Sequence, residues 1–459
     1  MNIRPLPMAD DTAEGRKIQG WMRATRPFLW GASIFLAPLL FVALSIDGLD
    51  RAIDREEILR VLHFAGAVAV TVSLLAAVLI GTVVYLVRTR SGGERDLLAA
   101  SPKFRRIVFT GILCLLWGGA AFVVTEIWFR LSHQARLKED TARKFVDMDR
   151  RKVCEAFHPL LWNGMWKAYR PGARVVHTNE SAVYETSINS LGFRGDEEDI
   201  PSDDDFVIAC LGGSTTVNGR SNNETYPALL EFHLRDAGWD VRVINCGVSS
   251  MKSQDYGSVI TNLLKGITPD IVLEYNVVND ICISLIPKWQ KELGTIPSLL
   301  LRSRFVNDAF GRSFTPNDEV IRDDLRSLTL ANLRNLNENL AGIPLFVSSF
   351  VCPQVPKSDP SYRNLDFEIR HWWTTDYVTY EVYQDMVSIY NELIRTEAST
   401  YGLSYVPMAE IMGAKAEDFL DICHLTQAGI EKKAAAMAQA LIPVLQKHPV
   451  GKRLERILE

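Results

Sequence analysis

The sequence predicts an α/β protein: a three-layer α/β/α domain on a parallel sheet, preceded by three transmembrane helices. Two observations carry this. The first third of the chain holds three long runs free of Asp, Glu, Lys and Arg, and the second half alternates short apolar, β-branched runs with helical stretches. At 459 residues the chain exceeds one ordinary domain. The expected segments are an N-terminal tail (1–26), a membrane anchor (27–130), a stalk and lead-in (131–203), the α/β domain (204–448) and a C-terminal tail (449–459). A formal net charge of −5 is small for this size and points to no nucleic-acid partner.

The uncharged runs are Phe28–Ile46, Val61–Val87 and Ile107–Thr125, with His63 near one end of the second. Each is about the length a helix needs to cross a ~30 Å hydrocarbon layer, and three in succession argue against buried core helices. Trp30, Tyr85, Trp117 and Trp128 are scattered among them, three near run ends, where an interfacial belt forms. Pro38 predicts a kink in the first. Arg16, Lys17, Arg23 and Arg26 precede the first run, and Arg88, Arg90, Arg95, Lys103, Arg105 and Arg106 follow the second. Arg51, Arg55 and Arg60 lie between them, diluted by acids. Basic loops favour the cytoplasm, so three crossings put the C-terminal domain outside. Arg130, Arg136, Lys138, Arg143 and Lys144 after the third run pull the other way. No small-residue cleavage site follows the first run, so an uncleaved, multi-pass anchor in the lipid bilayer is expected. Cys114 lies in the third run. Cys210, Cys246, Cys282, Cys352 and Cys423 sit on or beside apolar runs, where free cysteine acts as a small hydrophobe. No CxxC or metal-ligand spacing appears, so no metal is expected.

Leu131 to Glu155 reads as a helical stalk, and TSINSLGFRGDEEDIPSDDD, rich in turn formers and acids, as a loop-rich lead-in. From Phe206 the strand-like runs are FVIAC, VRVIN, IVLEY, PLFVSSF and LSYVP. Helical stretches accompany them at Tyr226–Ala237, Tyr256–Lys265, Val378–Thr400 and Thr426–Gln446. Near-continuous apolar strands alternating with helices imply a parallel sheet covered on both faces. Ligands in such sheets bind at the carboxyl ends of the strands, so the residues that follow each strand matter most.

The first such segment, LGGSTTVNGRS, has the look of a phosphate loop, but the spacing excludes it. G-x-x-x-x-G-K-[ST] counted back from Gly219 requires glycine where Ser214 stands, and the cation is Arg220. The α/β-hydrolase elbow G-x-S-x-G is excluded because Thr216 replaces its second glycine. The second strand is followed by Asn245-Cys246-Gly247-Val248 and the third by Asn276-Val277-Val278-Asn279-Asp280. Asp421-Ile422-Cys423-His424-Leu425-Thr426 opens the last helix. Together these supply a nucleophile, an acid–base pair and fixed hydrogen-bond donors at one sheet edge.

This ordered set resembles the SGNH/GDSL hydrolase family over roughly residues 204 to 448. The resemblance lies in Gly213-Ser214-Thr215, in Asn245-Cys246-Gly247-Val248, in Val277-Val278-Asn279-Asp280, and in Asp421 to His424 continuing as His-Leu-Thr-x-x-Gly to Gly429. Asn189 to Gly195 is similar to the lead-in of bacterial envelope members. Two positions depart: Gly213 replaces the aspartate of G-D-S, as in a GGST-type branch, and Val277 replaces the glycine of G-x-N-D. The resemblance implies a flavodoxin-like fold and a catalytic triad of Ser214, Asp421 and His424. It implies an oxyanion hole of the Ser214 and Gly247 backbone N–H groups and the Asn279 amide, with no cofactor.

The expected reaction is attack of Ser214 on an ester carbonyl, with His424 as base and Asp421 holding its tautomer. A glycine at 247 is expected to clear the approach of substrate. The resemblance implies an esterase of the bacterial inner membrane with its catalytic domain periplasmic or extracellular. Its substrates would be O-acyl, acetyl-like esters of envelope glycans or lipids. Transfer to an acceptor alcohol by the same triad is an alternative, and so is a non-catalytic glycan-binding or scaffold domain. A transporter is disfavoured, since the apolar runs hold no internal charge. Glu274, mid-strand, is expected to be a structural ion-pair or hydrogen-bond partner. Trp372 and Trp373 line a pocket or pack in a core, and His177 and His371 have no assigned role. Residues 285–340, which lengthen the connection after the third strand, are a candidate lid.

Overall fold

The structure, a computed structural model, describes residues 110–111, 117–119, 121–132, 169–178, 183–264, 266–370, 377–413 and 415–447. The chain divides into two compact units, Met1–Thr141 and Ala142–Glu459. In the first, residues 121–132 are helical. Val123, Glu126 and Ile127 are buried, and Trp117 and Trp128 are exposed. Glu126 pairs with Arg130 one turn on, at 2.7 Å. Among the described residues no helix is long and apolar enough to cross a membrane. The runs over 28–46 and 61–87, about half of that over 107–125, the stalk beyond residue 132 and the tail over 449–459 lie outside the described residues.

The second unit opens with an antiparallel ribbon, β1 (Arg174–Thr178) with β2 (Val183–Ser187). The lead-in is therefore more structured than its composition suggests. Its turn formers close a tight loop: Asn189 Oδ1 accepts the N–H groups of Leu191 and Phe193, both at 3.1 Å, and Gly192 takes the left-handed conformation (φ 84°). This returns the chain so that Arg194 bridges Ile188 on one side and Asn245 on the other. Tyr169, Ile188 and Phe193 are buried in the same apolar cluster as the main sheet.

That sheet has five parallel strands: β3 (Val207–Gly212), β4 (Arg242–Gly247), β5 (Ile271–Tyr275), β6 (Leu345–Ser348) and β7 (Ser404–Val406). The order is β4-β3-β5-β6-β7. The three central strands are buried along their length, and the edge strands β4 and β7 begin half-buried. This is why the central runs read as unbroken apolar stretches. The connections are α1 (Ser214–Val217), α2 (Tyr226–Asp236), α3 (Tyr256–Leu263), five helices after β5, then α9 (Tyr362–Glu368), α10 (Tyr380–Glu397) and α11 (Met408–Met412). The last helix, α12 (Gln427–Leu445), packs on α2. Strand order reverses between β3 and β5. Since parallel crossovers are right-handed, the reversal sends helices to opposite faces and opens a crevice at the carboxyl ends of those two strands. The flavodoxin-like order expected from the resemblance is the one observed.

The 285–340 segment folds as α4 (Ile286–Glu292), α5 (Thr295–Leu300), α6 (Arg304–Phe310), α7 (Asp318–Leu325) and α8 (Ala331–Asn339). Ile321, Leu325, Leu333 and Leu336 join the core. Arg312, Arg322 and Arg326 pair with Asp385, Glu392 and Glu397 of α10 at 3.1, 2.6 and 2.7 Å. Such partly exposed pairs contribute about 1 kcal/mol or less each, so the apolar face is what seats these helices.

Because lead-in side chains complete the core, a chain begun at residue 204 is expected to aggregate or melt without cooperativity, whereas one begun at residue 142 unfolds in a single transition. Phe193→Ala, at a fully buried site, should cost about 3–5 kcal/mol; a urea midpoint shift too small for 1 kcal/mol would refute the lead-in's part in the core.

Candidate active site

Ser214 is the first residue of α1, at the point where β3 ends beside β5. Its hydroxyl lies 2.8 Å from His424 Nε2. His424 Nδ1 lies 2.7 Å from Asp421 Oδ2. The other Asp421 oxygen accepts the backbone N–H groups of Cys423 and His424 at 2.9 and 2.7 Å. The D-x-x-H spacing thus works as a closed turn in which one carboxylate orders both the loop and the ring. Leu420 N–H to the His424 carbonyl (2.7 Å) and Thr426 N–H to the Asp418 carbonyl (2.8 Å) brace it from outside. Thr426 then caps α12, its hydroxyl accepting from Gly429 N–H at 3.1 Å. Burial alone would raise the Asp421 carboxyl. The His424 ring, as charge and as donor, and the two backbone N–H groups outweigh it and hold the carboxyl well below the usual carboxylate range. An ionised Asp421 places the ring proton on Nδ1, which leaves Nε2 to accept from Ser214.

The glycines around Ser214 are set by close approach. A Cβ on Gly213 would stand 2.4 Å from Asn279 Nδ2, and one on Gly212 would stand 2.0 Å from Thr216 Oγ1. Gly213, which replaces the aspartate of the family pattern, is therefore the condition on which Asn279 reaches the Ser214 turn. Asn279 Nδ2 and Asn276 Nδ2 both donate to the Met251 carbonyl at 2.8 Å. Val277, the other departure, is fully buried, and Asn279 beyond it donates to the Met251 carbonyl. Met251 closes the turn after β4, donating to the Val248 carbonyl at 3.1 Å. In that turn Ser250 is exposed and takes a left-handed conformation, φ 60°.

Gly247 is not placed as expected. Its N–H donates to Asn245 Oδ1 at 3.1 Å. A Cβ there would meet Val217 N at 2.7 Å and Thr216 Cγ2 at 2.9 Å. The glycine is required because the helix that Ser214 begins packs on the strand end, and its space is filled by the chain's own atoms, not kept clear for substrate. That corrects both its nomination as a donor and the reason given for it.

Three residues around the turn escaped the sequence reading. A single-turn helix leaves its carbonyls without helical partners, and side chains from distant segments take them. Asn245 Nδ2 takes the Thr216 carbonyl at 3.3 Å. Arg194 Nη1 takes that of Val217 at 2.5 Å, and Arg194 Nη2 that of Gly219 at 3.0 Å. Lys433 Nζ takes that of Thr215 at 3.1 Å. Asn245 and Arg194 stand in motifs that drew notice for other reasons. Lys433 sits in an alanine-rich helix and gives no signal in sequence.

Behind the site, Glu274 is fully buried and accepts from Tyr256 Oη at 2.6 Å; burial drives its carboxyl well up. It is a hydrogen-bond partner, as expected. Asp280 accepts from Ser253 N–H at 3.0 Å and from Thr329 Oγ1 at 3.3 Å, pinning the segment that follows Met251. Among the described residues one group offers metal-ligand atoms together, Asp421, Cys423 and His424, and its ring and carboxylate are already committed to each other. Cys423 is buried, and burial raises its thiol well above the usual value. Trp372, Trp373 and His371 lie outside the described residues.

No protein-family model matches the chain, and no curated protein does. Solved structures are similar to its second half. A carbohydrate acetylesterase family member from Sinorhizobium meliloti is 14% identical, covering 52% of this chain and 97% of that one at a TM-score of 0.32. A catalytic mutant of Axe2, an acetylxylan esterase from Geobacillus stearothermophilus, is 14% identical over 53% and 96% (TM-score 0.32). A lipase/acylhydrolase from Enterococcus faecalis is 15% identical over 51% and 95% (TM-score 0.29). Likenesses of this size leave the chemistry to the chain's own geometry.

Burial pushes the Asp280 carboxyl from 3.8 up to about 6, against the lowering effect of the Ser253 and Thr329 bonds and of Lys252. A carboxyl raised on folding favours the protonated native state. Its contribution is complete below its unfolded value and is lost as pH rises through about 6. The stability difference between wild type and Asp280→Asn should therefore shift against the wild type from about pH 4 to about pH 7. Urea melts of both proteins that run parallel across this window would exclude the effect.

Proposed function

We propose that the chain is a membrane-anchored serine ester hydrolase of the SGNH/GDSL type. One observation carries the chemistry: Ser214, His424 and Asp421 form a continuous hydrogen-bonded chain of 2.8 and 2.7 Å at the crevice of the sheet. Residues 210 apart in sequence meet this way only if the fold is built around their meeting.

In the proposed cycle Ser214 Oγ attacks an ester carbonyl carbon as its proton passes to His424 Nε2. Asp421 remains ionised and stabilises the imidazolium. The tetrahedral oxyanion is met by the Ser214 N–H, one of the N–H groups a helix start leaves without a helical partner, and by the second N–H of the Asn279 amide. Collapse breaks the ester C–O bond, and Nε2 returns the proton to the leaving alcohol. Water, deprotonated by the same nitrogen, then cleaves the acyl-enzyme to a carboxylic acid and free Ser214. No step draws on a cofactor.

The substrate class proposed is O-acyl, acetyl-like esters of envelope glycans or lipids. It rests on the resemblance to envelope members and on the apolar N-terminal runs, which would hold the domain at a membrane surface outside the cytoplasm. Complete assembly of the triad favours this over a non-catalytic scaffold.

A fluorophosphonate probe should label the full-length protein at Ser214, and Ser214→Ala or His424→Ala should abolish labelling. Absence of labelling in folded protein from neutral to mildly alkaline pH would move the weight to a binding role. Asn279→Ala should lower the rate about 100- to 1000-fold. Gly213→Ala, by displacing Asn279, should act in the same direction; wild-type turnover in a folded Gly213→Ala protein would separate Asn279 from the reaction.

A further inference from the structure

Lys433 is fully buried in α12, and among the described residues no carboxylate pairs with it. Its Nζ lies 3.6 Å from the ring centroid of Tyr226 and 3.4 Å from that of Tyr275. Its one hydrogen bond acceptor among the described residues is the Thr215 carbonyl, at 3.1 Å. The other ionisable groups around it are the Cys210 thiol and the two tyrosines. Burial lifts Cys210 to about 12 and both phenols well above their usual range, so these groups stay neutral. Burial likewise pulls the lysine well below its own range. A leucine or methionine at this point would fill the same space without the desolvation cost of an amine. Local rules broken at such a cost mark positions kept for function.

The geometry shows what Lys433 supplies. Thr215 is the residue after the nucleophile. Its carbonyl would need the Gly219 N–H to continue the helix, but that N–H is taken by Asn218 Oδ1 at 3.0 Å. Asn245 and Arg194 tie the same turn to β4 and to the lead-in. Lys433 alone of the three ties it to α12, the helix whose cap, Thr426, stands two residues after His424. Nucleophile and base lie on different elements, and this is a direct polar link between those elements apart from the catalytic bond itself.

We propose that Lys433 is a positioning residue: by holding the Thr215 carbonyl from α12, clamped between the Tyr226 and Tyr275 rings, it fixes the distance between Ser214 and His424. The proposal rests on Ser214 being the nucleophile. Full-length protein in detergent would be followed by the rate of fluorophosphonate labelling at Ser214 and by p-nitrophenyl acetate turnover. Lys433→Met keeps the volume and removes the donor. It should lower kcat and the labelling rate together by about 10- to 100-fold, with KM within about twofold, as misplacement by an ångström or less does. Lys433→Gln and Lys433→Arg, which each keep a donor, should recover part of the loss. They also keep the test open if the methionine variant does not fold, since each must then label more slowly than wild type while remaining folded. Wild-type kcat and labelling in any folded variant lacking the donor, or rates that track melting temperature whichever residue is present, would overturn the proposal. A wild-type protein that is not labelled at Ser214 would instead remove the nucleophile, and this proposal with it.

Discussion

The structure depends on one awkward object, a helix of a single turn. Ser214 must project from the carboxyl end of β3 into the crevice, and a long helix starting there would satisfy its own backbone. The chain instead turns away after Val217, leaving carbonyls that water does not reach. Buried acceptors without partners cost roughly 1–3 kcal/mol each, so the fold brings partners to them: Asn245 from β4, Arg194 from the lead-in and Lys433 from α12. Each partner carries its element with it. The Ser214 turn is thereby the hub at which the lead-in, the sheet edge and the last helix are locked together.

The same logic governs the space around the hub. Gly212, Gly213 and Gly247 are occupied, at the place of their missing side chains, by Thr216, Asn279 and the Thr216–Val217 backbone and methyl groups. They permit contact between pieces of the chain itself. Asn279 makes the point best. It reaches Gly213 only because no side chain stands there, and it is kept there by the Met251 carbonyl, which also binds Asn276. Asp280 then pins the following segment through Ser253. The loops after β3, β4 and β5 form one polar unit with few free motions.

Much of this was legible in the sequence because it is periodic or local. The five apolar runs, their parallel order and the meeting of Ser214, His424 and Asp421 at the strand ends are consequences of alternation, strand-end chemistry and the D-x-x-H turn. What escaped has a common cause. Arg194 and Lys433 act on carbonyls tens to hundreds of residues away, and nothing beside them in sequence announces a partner. Gly247 was misread for a related reason: a glycine near a reactive serine suggests room for a ligand, whereas here the occupant is a helix 30 residues earlier. The lead-in carries the turn residues of open loops, yet in the fold they close the tight turn that delivers Arg194. The membrane runs lie almost wholly outside the described residues and stand on their hydropathy alone.

The hub draws its partners from both ends of the domain, Arg194 ahead of the sheet and Lys433 and His424 close to its end. A ribosome delivers these groups at very different times. While synthesis is under way, Ser214 has emerged with its turn uncapped and its base not yet made, so the nascent chain carries an ordinary, unreactive alcohol. On the proposed chemistry, Ser214 gains its base only when the segment carrying His424 docks. On that chemistry the protein is thereby inert until it is whole, and a prematurely terminated or clipped copy is silent without need of an inhibitor.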